Sequence, residues 1–212
     1  VCDKAHELGF LVAAHVESTE GVRVALEGGV DSIEHGAAPT DEIMDLFKKN
    51  QSFLCTTISP ALPYALFDRS VSNASEVEQY NGNMVFEGVI ANSKAALEQG
   101  VPVALGNDVG CPWITQYDFW RELRYFEKYV GVSRKFALHT ATLRNAELAG
   151  VGDITGSIEV GKCADMIVVD FNPLDDLCAL RTVKHVVHRG HLIAQPKVKH
   201  NVVVDRELDK FL

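Results

Sequence analysis

The chain repeatedly sets down a short apolar run and then a helical pattern, and this succession constrains the fold more than any other feature. The runs are Phe10–Val16, Asp31–Glu34, Ser52–Ile58 and the stretch beginning at Val101. A stripe of Val22, Ala25 and Leu26, closed by Gly28 and Gly29, follows the first. Ile43, Leu46 and Phe47 follow the second, with Thr40 as cap, Asp41 and Glu42 in the first turn and Lys48 and Lys49 near the end. Those signs suit the helix dipole. Strands alternating with helices predict an α/β architecture with a parallel sheet.

The fourth run is the most informative. Val101, Val103 and Leu105 alternate with Pro102, Ala104 and Gly106, so bulky groups line one face and small ones the other. A strand of a β/α barrel has this pattern, with its functional group at the carboxyl end, where Asp108 stands. Taken alone, Asp108 also fits a turn or a helix N-cap. A closed barrel needs about 250 residues and eight strands, whereas 212 residues with about four strands are present. The expected fold is therefore the C-terminal half of a (β/α)8 barrel, strands 5 to 8, over residues 1–150. The absence of an initiator Met and the pattern of Val1–Gly9, which reads as the last turns of a helix, fit a chain that begins inside a domain.

Between Ser59 and Asn83, Pro60, Pro63 and a serine-rich run predict an irregular lid-like segment, with a helix only from about Met84 to Gln99. Further helices are expected over about Thr115–Val130 and from Ser133 to Leu148. After Gly152 no helical period separates the strands expected at Gly156–Lys162, Ala164–Asp170, Val183–His188 and His191–Ala194. Residues 151–212 should form a small antiparallel β-sandwich portion, with a strand or helix tail from Val202.

A net charge of −9 without a basic run argues against nucleic acid and anionic membranes as partners. No apolar run approaches the roughly 18 residues of a membrane span. Five widely spaced cysteines without a Cys-x-x-Cys pair suit a reducing compartment, and the cytoplasm is the expected location. A signal peptide cannot be judged from this N-terminus. A small molecule is the expected partner, and self-association is left open.

His15 and His35 also end strands. In a β/α barrel such ends converge on one rim, where two imidazoles and a carboxylate could share one or two divalent ions, zinc foremost. A metal lowers the pKa of bound water to roughly 7, and Asp108 could take its proton and pass it to a leaving group. His6, His139, His185, His188, His191 and His200 lie away from the expected rim, and Cys111 reads as a small buried residue.

Val-Ala-Ala-His15, Asp-Ser-Ile-Glu-His35-Gly and Ala-Leu-Gly-Asn-Asp108 resemble the fifth-, sixth- and eighth-strand motifs of the amidohydrolase superfamily. Thr142-Leu-Arg-Asn-Ala146 and the segment from Gly156 to Pro173 resemble its C-terminal helix and β-sandwich signature. The imidazolonepropionase-like, prolidase-type branch is the nearest in pattern. The resemblance implies that His15, His35 and Asp108 ligate metal, with Asp108 also the catalytic proton shuttle. It implies a His-x-His and a carboxylated Lys on strands this chain lacks. The superfamily's deaminases usually carry Glu at the position of Ser18. Its absence favours hydrolysis of an amide or peptide bond by metal-activated hydroxide, in a dipeptide, an Xaa-Pro peptide or an N-acyl amino acid. Ser18, Thr57, Tyr64 and Asn107 are candidate substrate contacts. A cyclic-amide hydrolase or deaminase, or a non-catalytic truncated fragment, are the alternatives.

Overall fold

A computed structural model describes all residues, Val1–Leu212. They form two compact units, Val1–Asp108 and Val109–Leu212.

The first unit follows the alternation of its sequence. Helix α1 (Cys2–Glu7) precedes strand β1 (Ala13–Val16), and α2 (Thr19–Glu27) leads to β2 (Ser32–His35). Helix α3 (Asp41–Asn50) leads to β3 (Phe53–Thr56). Ser18 Oγ accepts the Gly21 N–H at the start of α2, and Thr40 Oγ1 accepts the Ile43 N–H at the start of α3. Each bond satisfies a donor that the first helical turn leaves without an intrahelical partner. The sheet is parallel, in the order β1-β2-β3-β4, with β4 at Val103–Leu105. Ile33, Leu54 and Ala104 on these strands are fully buried, as are Met44 and Phe47 of α3.

The expected irregular segment is helical. Helices α4 (Ile58–Leu66) and α5 (Arg69–Ser72) precede a long α6 (Glu76–Glu98), which starts eight residues earlier than expected from Met84. Pro60 falls in the first turn of α4, where a missing N–H costs nothing. Ser75 opens α6 with a capping box: its Oγ accepts the Glu78 N–H, and the Glu78 carboxylate accepts the Ser75 N–H. The two helices approach closely at Gly82, where a Cβ would stand 2.5 Å from the Tyr64 Cβ. Tight packing of an apolar α4 outweighs the poor helix propensity of Pro63.

In the second unit α7 (Phe119–Tyr125) runs into a π turn at Phe126–Val130. Ser133 caps α8 (Arg134–His139), and a second π turn leads to α9 (Asn145–Leu148). An antiparallel sheet follows, β5 (Met166–Val169), β6 (Val183–His188) and β7 (His191–Ala194), in that order. The expected strand at Gly156–Lys162 is instead a series of turns. Gly156 and Gly161 both adopt positive φ, +90° and +95°, outside the β region of a regular strand. The tail is helix α10 (Val202–Leu208) and a 3₁₀ turn. Within this unit α7 packs with a 3₁₀ turn at Leu177–Arg181.

Arg121 is the charged centre of this unit. Its side chain is 1% exposed and meets Asp118, Asp205 and Asp209 at 3.0, 3.3 and 2.7 Å. The guanidinium also lies 4.6 Å from the Trp120 ring centroid. The contacts to Asp205 and Asp209 fasten α10 and its 3₁₀ turn to α7. No helix in the chain is long and apolar enough to cross a membrane.

Candidate metal centre

The ends of β1 and β2 bring His15 and His35 together. Their ring centroids are 4.6 Å apart and their planes cross at 78°, edge to face. Strand alternation alone does not produce this contact. In the ladder His15 stands opposite Glu34, and Val16 stands opposite His35. Residues opposite each other share a face, and successive residues alternate. His35 should therefore face away from His15.

The backbone at His35 breaks the alternation. Its φ is +68°, and the Gly36 N–H bonds to the Glu34 carbonyl at 2.9 Å. That is a γ-turn centred on His35, with the sign of φ that is rare and strained. Gly36 continues the turn at φ +87° and also donates to the Val16 carbonyl. Strain of this kind costs on the order of 1–3 kcal/mol per residue and gathers at functional sites.

His35 is 6% exposed, and its Nδ1 lies 2.6 Å from Thr57 Oγ1. Burial lowers its pKa, and the neighbouring His15 lowers it further. Asp108, Glu17 and Glu34 oppose this by raising it, without reversing the direction. The ring is therefore held neutral, the form in which imidazole ligates metal. His15 itself is exposed. Asp108 is exposed on the loop after β4, again with a left-handed backbone, φ +50°.

The remaining candidates are less alike. Ser18 is exposed, and its hydroxyl is engaged as the α2 cap. Tyr64 is half-buried on α4. Asn107 is buried beside Asp108, and its Nδ2 has no hydrogen-bond partner. Thr57 is 3% exposed, with its hydroxyl on His35. Two residues that sequence reasoning did not select also belong here. Glu34 acts electrostatically on His35, and its Oε1 accepts a hydrogen bond from Ser32 Oγ at 2.6 Å. Asn92 of α6 is fully buried with neither amide atom bonded, and its Nδ2 lies against Gly36. Glu34 is legible in hindsight from its place beside His35 in the Glu-His-Gly run. Asn92 gives no such signal, because Gly36, which it lies against, is distant in the sequence.

Two imidazoles with a carboxylate acting on one of them form a donor set that suits a borderline transition metal. His35 presents Nε2 as its unengaged nitrogen, and the donor chemistry fits. His15 and His35 make the contact; no three His, Cys, Asp or Glu side chains gather at ligating distance. A separate apolar cavity of about 700 Å³ lies in the second unit, lined by Trp120, Leu138, Met166 and Val186 among others. None of the candidate residues lines it, so it is not this site.

Comparison with known proteins identifies the family. The amidohydrolase family model matches residues 1–193. A crystal structure assigned as a prolidase from Bifidobacterium longum superposes with a TM-score of 0.96 at 40% identity, covering 99% of this chain and 53% of that one. A Xaa-Pro dipeptidase solved with methionine in its active site matches with a TM-score of 0.80 at 32% identity, covering 91% of this chain and 47% of that one. The ochratoxinase of Aspergillus niger is 27% identical over 192 residues, 89% of this chain and 38% of that protein. The chain thus spans about half the length of the two solved proteins and less of the curated one. With the family model matching nearly the whole length, and two strand-end histidines in ring contact, the chain belongs to the amidohydrolase family.

Proposed function

We propose that this chain carries the His15, His35 and Asp108 side of a hydrolase that cleaves an amide or peptide C–N bond in a small substrate. A dipeptide, an Xaa-Pro peptide or an N-acyl amino acid is the substrate class. In this reading the four parallel strands are the fifth to eighth of a (β/α)8 barrel. The observation that carries it is the ring contact between His15 and His35 at adjacent strand ends. The likeness to a Xaa-Pro dipeptidase supports the substrate class.

His15 and His35 would hold a divalent ion, zinc in this reading, through imidazole nitrogens. When bound, such an ion supplies a Lewis acid and lowers the pKa of water to roughly 7. Burial keeps His35 neutral and ready to ligate. Asp108, exposed at its loop, would accept a proton from the attacking water and deliver it to the leaving nitrogen. Water's oxygen joins the carbonyl carbon as the C–N bond breaks, so the protons balance. Ser18, Thr57, Tyr64 and Asn107 remain the proposed substrate contacts. Ser18 carries no carboxylate and its hydroxyl caps a helix, which disfavours deamination.

The test pairs zinc analysis with a substrate panel. Stoichiometric zinc, lost in His15→Ala and in His35→Ala, together with release of free amino acid from Xaa-Pro or N-acyl substrates, supports the reading. Ammonia release from cyclic substrates would replace it with the deaminase alternative. Absence of bound zinc, with both substitutions silent for activity, would overturn it.

A further inference from the structure

Thr57 occupies the N-cap position of α4, where a threonine hydroxyl normally accepts a backbone N–H of the first turn. It makes no such bond. The usual donor is the third helical residue, and here that residue is Pro60, which has no N–H. The hydroxyl is thereby released from capping, and it meets His35 Nδ1 at 2.6 Å instead. Gly106 leaves space beside it. A Cβ at Gly106 would come within 3.2 Å of the Thr57 Cγ2, so the absent side chain leaves room for the methyl group. With Thr57 3% exposed, its hydroxyl is enclosed with the histidine.

A neutral imidazole carries one proton, and the nitrogen that carries it cannot ligate. Which nitrogen that is depends on the partner of the other. We propose that Thr57 is a positioning residue: its oxygen accepts the Nδ1–H of His35 and selects the tautomer that leaves the Nε2 lone pair unprotonated. The use of that lone pair for a divalent ion rests on the function proposed above. The tautomer itself does not.

The test uses Thr57→Val, which keeps the shape and deletes the hydroxyl, and Thr57→Ser, which keeps the hydroxyl. Thr57→Ala serves as a second deletion should the valine variant fail to fold. The first readout is the ¹⁵N imidazole spectrum of His35 in the metal-free chain, well above the imidazole titration range. The Nδ1–H form is expected in the parent and in Thr57→Ser, with a shift toward the Nε2–H form in Thr57→Val or Thr57→Ala. The second readout is zinc affinity by competition with a chelator. A roughly 10- to 100-fold loss is expected in the deletion variants, with recovery in Thr57→Ser. A parent His35 resting as Nε2–H, or deletion variants with an unchanged tautomer, would overturn the proposal. A hydroxyl-dependent tautomer in a chain that binds no zinc would sustain it while removing the metal reading.

Discussion

A Cβ on Gly36 would stand 2.4 Å from the Nδ2 of Asn92, a distance that real Cβ atoms do not tolerate. The same atom would come within 3.1 Å of Leu54 Cδ1, and the backbone at Gly36 has φ +87°. Gly36→Ala should therefore destabilise by at least about 1–2 kcal/mol from the left-handed backbone alone, with the buried contact adding to it. Urea titration reads this as a lower midpoint. Because Asn92 is the obstruction, Asn92→Ala should recover part of the loss in a double-mutant cycle. A Gly36→Ala midpoint equal to the parent's would contradict this geometry.

Arg121 should be intolerant of neutral replacement. Arg121→Met leaves Asp118, 4% exposed, and Asp205 without their cation. Uncompensated buried charge of this kind costs about 3–5 kcal/mol. Chemical denaturation measures the loss, and Trp120 fluorescence reports the local change, since the guanidinium lies over its ring.

Acid should act on the same cluster through Asp209. Burial pushes its carboxyl up, but Arg121 and Arg181 outweigh this and hold it below the usual carboxylate range. The unfolded chain therefore binds this proton more readily than the folded one. The contribution of Asp209 to stability is complete above the ordinary carboxylate pKa, about 4, and is lost as pH falls through the depressed value. Melting temperatures between neutral pH and about pH 3 should fall less steeply in Asp209→Asn than in the parent.

The start of α6 supplies a fourth expectation. Ser75→Ala removes the hydroxyl that accepts the Glu78 N–H and should cost about 1 kcal/mol. Amide exchange of the first turn should quicken, while the C-terminal turns of the helix keep their protection.

Much of this architecture is legible in the sequence where side-chain period and backbone agree. The alternation of Val101, Val103 and Leu105 marks a strand, and Thr40 with Asp41 and Glu42 marks a helix start; both are present. The segment after Ile58 was obscured because proline and serine act as breakers in isolation. Pro60 is harmless in a first turn, and Pro63 is carried by packing at Gly82. The strand expected at Gly156–Lys162 was obscured for the opposite reason: apolar residues alternate there, but the glycines take up left-handed turns. At the candidate site the sequence offers His15, His35 and Asp108 as strand-end groups. It does not reveal that His35 reaches its neighbour only through a γ-turn, because φ leaves no trace in hydrophobic pattern. The second role open to Thr57 was hidden likewise, since it depends on a proline three residues further on.

The left-handed backbones of His35 and Asp108 have a practical consequence. At such a φ glycine and asparagine are more comfortable than most residues. A laboratory selection for heat tolerance alone would drift toward those two amino acids at positions 35 and 108, gaining robustness as it erased the groups proposed to do the chemistry. Improving the durability of this protein therefore calls for a screen that scores turnover alongside survival.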